Sequence, residues 1–152
     1  MRRSVLSACL IAALAGLGAT AEARAPKPSV ITVSGAWSRP EPAGISTGVI
    51  YLIVANHGRA ADTLTGASSP MAAEVGLHRS GMAGGVAIMT MIKDGLIVPA
   101  GGTAKLEPHG YHLMMMGLKG GLAAGSRFPA TLRFAHAGAV PVSVEVRATP
   151  PQ

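Results

Sequence analysis

Short segments that are β-branched or alternate between apolar and polar residues, broken at regular intervals by Gly, Pro, Asn or Asp, predict an all-β protein: a two-sheet Greek-key β-sandwich of about nine short strands. Two further observations support that class. The 152-residue chain scatters twenty glycines and eleven prolines without a repeat period, as suits strands joined by many turns. Helix-period apolar patterns are missing from its body, and 49% hydrophobic against 13% charged residues supply one packed domain and are short for two.

The N-terminal segment 1–23 reads as a signal peptide. Arg2 and Arg3 precede an apolar run from Val5 to about Leu17, followed by the small residues Ala19, Ala21 and Ala23, the three-part pattern of a secretory leader. Leu6-Ser7-Ala8-Cys9 also spells a bacterial lipoprotein box. Only Ser4 and Val5 separate it from the arginines, which leaves too little apolar chain ahead of it, so cleavage after Ala21 or Ala23 is expected. The apolar run is too short to span a bilayer comfortably and no other segment approaches the required length, so the mature protein is expected to be exported, soluble and not membrane-embedded.

Residues 24–30 then form a linker, residues 31–148 the folded domain and residues 149–152 a tail. Within the domain, ITVSGAWSRP alternates up to Pro40, and TGVIYLIVANHG is a dense apolar run closed by Asn56-His57-Gly58. ADTLTGASSP, AEVGLHRSG, GVAIMTMIKDG, GTAKLEPHG, YHLMMMGL, FPATLRFAHAG and VPVSVEVR follow as the other strands. Lys93-Asp94-Gly95, Ala100-Gly101-Gly102 and His136-Ala137-Gly138 have the composition of hairpin turns.

Composition excludes several functions. Although the formal charge is +6, Lys and Arg are spread singly and aromatics are few, so no nucleic-acid surface is predicted. Cys9 is the single cysteine and leaves with the leader, so disulfides, thiolate metal sites and cysteine catalysis go with it. There is no GxSxG elbow, HExxH, phosphate loop or paired carboxylate beside a histidine, and the chain is not predicted to be an enzyme.

The methionines carry the functional signal. Met71, Met82, Met89, Met91, Met114, Met115 and Met116 are all that remain after Met1, and they lie between residues 71 and 116. Core-filling methionine would be spread over every strand. In YHLMMMGL, strand alternation puts His112, Met114 and Met116 on one face and Leu113 and Met115 on the other. Met89 and Met91 share a face, and in AEVGLHRSG the apolar Val75 and Leu77 oppose Gly76 and His78. Three segments therefore present His or Met from faces that packing does not need. Thioether with imidazole suits Cu(I) and offers little to Mg(II), Ca(II) or, without thiolate, Zn(II). The missing thiolate argues against a blue-copper electron carrier and for carriage of the metal.

The stretches AWSRPEPAGISTGVIYLIVANHG, LTGASSPMAAEVGLH, IVPAGGTAKLEPHGYHLMMMGLK and VSVEVR resemble the periplasmic copper chaperone family PCu(A)C over nearly all of the mature chain. The resemblance implies a cupredoxin-like sandwich that binds one Cu(I) through a histidine, a methionine after ten intervening residues, and a His-x-Met pair. On this sequence the implied ligands are His78, Met89, His112 and Met114. The gap from Met89 to His112 is one residue longer than the family's usual spacing, which keeps Met91 open in place of Met89. His57, His109 and His136 sit in turn-like contexts, Met71, Met82 and Met116 read as packing or as a fence around the ion, and Trp37 reads as a core anchor. The resemblance further implies a periplasmic location and delivery of copper to the CuA subunit of cytochrome c oxidase or to another copper-transfer protein. A copper-tolerance or storage protein, or a β-sandwich interaction module with a Met-rich docking surface, are the other readings.

Overall fold

The computed structural model describes residues 30–151, and the expected leader and most of the expected linker lie outside them. The described chain is all strand and turn: β1 (Ile31–Ser38), β2 (Thr47–Asn56), β3 (Asp62–Ser68), β4 (Ala72–Ala83), β5 (Val86–Met91), β6 (Leu96–Val98), β7 (Thr103–Leu106), β8 (Tyr111–Leu118), β9 (Arg127–Phe134) and β10 (Gly138–Val146). The pairing order β4-β8-β2-β1-β10-β9-β3 is closed by a β3–β4 contact at Ala67↔Val75, so the two sheets of the sandwich meet as a barrel. β5 extends from β4, β6 from β3, and β7 pairs the second half of β2 on the same edge that β8 pairs with its first half. The β1–β10 ladder is parallel.

The interior is filled by the inward set of each strand. Ile50, Leu52 and Val54 of β2, Leu64 of β3, Val75 and Leu77 of β4, Leu113 and Met115 of β8, Leu132 of β9 and Val144 and Val146 of β10 are buried in one cluster. Burying side chains of this size stabilises the fold by about 1.5–3 kcal/mol each before the entropy of ordering them is counted.

Four details differ from the sequence reading. A tenth strand, Leu96–Val98, pairs with β3; three residues are too few to show an alternation. Lys93-Asp94-Gly95 is not a hairpin, since β5 ladders on β4 while β6 ladders on β3. It is a crossing in which Gly95 (φ 80°) passes so close to β3 that a Cβ there would lie 2.7 Å from the Leu64 carbonyl oxygen. The hairpin after β4 closes instead at Gly84-Gly85, whose φ values of 57° and 81°, with Ala83 facing Val86, are those of a two-residue type I′ loop.

Pro99–Gly102 is a turn, with the Gly102 N–H donating to the Pro99 carbonyl at 3.0 Å, but β7 leaves it to pair with β2. His136-Ala137-Gly138 does close the β9–β10 hairpin. Asp62 holds that loop, accepting from the His136 and Ala137 amides at 2.9 and 2.8 Å and from Thr63 at 2.8 Å. Burial opposes the Asp62 charge, but these three donors outweigh it and keep the carboxyl below its ordinary range.

Candidate metal centre

β8 and β4 build the centre by the same rule of alternation. Leu113 and Met115 point into the barrel and are fully buried, which sends His112, Met114 and Met116 to the outer face. Val75 and Leu77 likewise point inward, and Gly76 and His78 outward. The β4–β8 register then sets His78 opposite His112, Gly76 opposite Met114 and Glu74 opposite Met116. The two imidazoles lie with centroids 6.0 Å apart and planes 30° from parallel.

Although they stand on the outer face, both rings are buried: His112 is 3% and His78 9% exposed. On one side Tyr51 approaches His112 at 6.4 Å between centroids, and Trp37 packs on Tyr51 at 4.9 Å. On the other side β5 places Met91 opposite His78 and Met89 opposite Ser80. A row of Trp37, Tyr51, His112, His78 and Met91 thus crosses five strands. Trp37 is buried, as the sequence reading expects of an anchor, and it packs on Tyr51 in this row and not within the main interior cluster.

The polar atoms of the pair are poorly satisfied. His112 Nδ1 lies 3.2 Å from the Gly110 carbonyl; a carbonyl only accepts, so Nδ1 carries the proton and Nε2 is left with a lone pair. That Nε2 and both ring nitrogens of His78 have no hydrogen-bond partner, and they are the buried side-chain nitrogens and oxygens so placed among the described residues. Each unpaired buried polar group costs about 1–3 kcal/mol. Burial, and next the neighbouring His112, push the His78 pKa below its ordinary value, with Glu74 opposing, which favours the neutral ring with a lone pair on one nitrogen and a proton on the other.

Gly76 makes room for this arrangement. A Cβ at Gly76 would lie 3.1 Å from His78 Nε2, 3.4 Å from its Cδ2 and 3.8 Å from the Met116 methyl. The His78 ring therefore leans over the Gly76–Met114 pair. No group of three His, Cys, Asp or Glu side chains gathers anywhere among the described residues. A metal here would be held by two imidazoles, completed by thioether sulfur, and the neutral donor set fits a soft monovalent ion.

Of the residues singled out from sequence, His78, His112 and Met114 come together on one patch of two strands. Met89 stands on the same outer face, one pair further along β5, and is exposed. His57 is exposed and bonded to the Thr32 hydroxyl at 2.9 Å, His109 takes a positive φ of 66° in a turn, and His136 sits in the Asp62 loop. Met71 packs against the core and Met82 is exposed. Sequence reasoning missed Gly76 and Tyr51; the alternation that selects Gly76 was visible, but what its missing side chain admits was not.

A family model described as "Putative lipoprotein LpqE-like" matches residues 31–146, which is the whole span from β1 to β10. The chain belongs to the LpqE-like family. A relative, the "Putative lipoprotein Lxx21020" of Leifsonia xyli subsp. xyli, is 33% identical over 149 residues, covering 95% of this chain and 89% of its own. Among solved structures, the copper-bound PCuAC domain from PmoF2 superposes with a TM-score of 0.66 at 22% identity, over 79% of this chain and 94% of its own. The Cu(I) form of DR1885 from Deinococcus radiodurans superposes with a TM-score of 0.60 at 32% identity, over 85% of this chain and 84% of its own. The LpqE-like chain thus has the cupredoxin-like sandwich of PCuAC domains.

Proposed function

We propose that this LpqE-like protein is a Cu(I) carrier of the periplasm. The observation that carries the proposal is the buried His78–His112 pair, which stands on the same outer strand face as Met114 and has three ring nitrogens without a hydrogen-bond partner. Neutral imidazole and thioether are the donors Cu(I) prefers, and neither can be lost to disulfide formation outside the cytoplasm. The copper named in the titles of the PmoF2 and DR1885 structures agrees with that chemistry. His78, His112, Met114 and one methionine of β5, where the sequence reading preferred Met89 and kept Met91 open, would supply two nitrogens and two sulfurs for one ion.

The chain's own residues suit it to carriage. The Gly110 carbonyl fixes the His112 tautomer, and Leu77 and Leu113 below hold both rings against a rigid wall, so the imidazoles are preorganised. The thioethers lie at the outer rim, where an incoming donor from an acceptor protein could replace them one at a time. The acceptor proposed is the CuA subunit of cytochrome c oxidase or another copper-transfer protein; supply for copper tolerance or storage would use the same site. No catalytic step is assigned to the protein.

Export rests on the leader, and the lipoprotein names of the family and of the Leifsonia relative accord with it. Among the described residues no helix is long and apolar enough to cross a membrane. A second reading, a docking module, is favoured by one observation: Met82, Val86, Ile88 and Met89 are all exposed on the β4–β5 hairpin. Titration of the purified mature protein with Cu(I) against a chelator of moderate strength separates the two. The carrier reading expects one tightly held ion; a protein that yields all its copper to the chelator is not a carrier.

A further inference from the structure

We infer that the thioether supplied by β5 is Met91, two residues beyond the methionine that family spacing selects. The inference rests on the Cu(I)-carrier reading and deepens it. Three observations place Met91 closer to the histidines than Met89.

The first is register: His78 faces Met91, whereas Met89 faces Ser80. The second is the type of pair. The Ile92 N–H donates to the Leu77 carbonyl at 2.8 Å, and this bond, joining the residues that flank His78 and Met91, makes the two a non-hydrogen-bonded pair. Such pairs bring their side chains closest together.

The third is the lean of the imidazole. His78 Nε2 lies over Gly76, away from Ser80 and toward Met114. Successive outward residues on a strand are about 6.7 Å apart. Met91 is therefore one such step from the Gly76–Met114 pair along the strands and Met89 two. Exposure follows the same order, 44% for Met91 and 63% for Met89. A Met89 ligand would have to fold back past the His78–Met91 pair, while a Met91 ligand has only to turn from its present position toward the adjacent ring.

The extra residue between Met89 and His112 shows that family spacing does not carry over unchanged to this chain, but it does not itself choose between the two methionines. The type I′ loop at Gly84-Gly85 fixes the β4–β5 register, so the strand positions are set from the hairpin end. Residues added or lost between β5 and β8 move neither methionine. Which of the two reaches the ion is decided by the register alone, and the register selects Met91.

The test compares the full mature protein with its Met91→Leu and Met89→Leu variants, loaded with Cu(I) under reducing conditions. Sulfur and nitrogen ligands are counted by X-ray absorption, and affinity is read by chelator competition. Wild type is expected to show two sulfurs and two nitrogens. Met91→Leu should lose one sulfur and about tenfold or more in affinity, as loss of a ligand must cost at least what loss of its supporting contacts does. Met89→Leu should keep both sulfurs and bind within about twofold of wild type, a volume-conserving change on an exposed position.

Loss of a sulfur from Met89→Leu with both retained in Met91→Leu would overturn the assignment and restore the family spacing. Retention of both sulfurs in both variants would overturn it in favour of Met116, whose methyl borders the same space over Gly76. A wild-type protein that binds no Cu(I) would sink the carrier reading itself, an outcome separate from the other two. Circular dichroism of each variant, expected to match wild type, guards against a folding defect.

Discussion

The His78 imidazole is where burial and function meet. Its pKa is depressed, first by burial and then by the nearby His112, so the folded apoprotein resists a proton that the unfolded chain accepts at about pH 6.5. The unfolded state therefore binds more protons below that pH, and stability must fall as pH drops from about 6.5 through the folded value, with no contribution from this group above it. Urea midpoints of the apoprotein between pH 7.5 and 5, at about half-unit steps, should decline on the acid side, and Cu(I), which needs the neutral ring, should oppose the decline. If a His78→Asn variant declines as steeply as wild type, another group is responsible. At this scale the sequence was largely legible: period-two alternation was enough to sort Met114 from Met115 and Val75 from His78. It could not show that the outward histidines are buried, because neighbours such as Tyr51, which packs near His112, lie on strands distant in sequence.

At the scale of the element, β8 is the strand on which the whole site depends. Its inner residues Leu113 and Met115 are fully buried, with the Met115 methyl only 2.9 Å from where a Cβ on Gly48 would stand, and its outer residues carry the donors. Met115→Leu is a volume-conserving core change and should cost less than about 1.5 kcal/mol while leaving Cu(I) binding intact. Met114→Leu, on the exposed side of the same strand, should leave the thermal midpoint close to wild type but weaken Cu(I) by about tenfold or more. The pair of variants is read by differential scanning calorimetry and chelator competition. The opposite pattern, copper lost with Met115 and not with Met114, would mean that the strand is slipped by one residue. Elements were legible where they are long and alternate. Leu96–Val98 was not, being three residues between two turns, and Lys93-Asp94-Gly95 read as a hairpin because its turn composition is as good as that of Gly84-Gly85, where β4 and β5 do turn. Composition marks a turn but does not say which strands it joins.

Barrel closure, the parallel β1–β10 pair and the shared edge of β2 belong to the whole molecule and were beyond sequence reading, since each depends on contacts between distant segments. The consequence for function is a rigid wall that offers two neutral imidazoles and nearby thioethers on its outside. Export enters at the same scale. If the leader is cut after Ala21 or Ala23, mass spectrometry of the exported protein should find an N-terminus at Glu22 or Arg24, whereas an acylated Cys9 would make it a lipoprotein, as its relatives are named. Metal choice follows from the surface the wall presents. With no group of three His, Cys, Asp or Glu side chains placed to hold an ion among the described residues, zinc would lack the three or four N, O or thiolate ligands of its usual sites, while Cu(I) would keep its two imidazoles and gain sulfur. The mature protein at pH 7.5 should therefore retain Cu(I) through a desalting column in the presence of excess Zn(II), and Zn(II) alone should dissociate on the same column. Zinc held as firmly as copper would mean that the imidazole pair is completed by a hard donor, Glu74 being the carboxylate already close enough to influence His78, and that the thioethers only fence the ion; a Glu74→Gln variant would then lose zinc and keep copper.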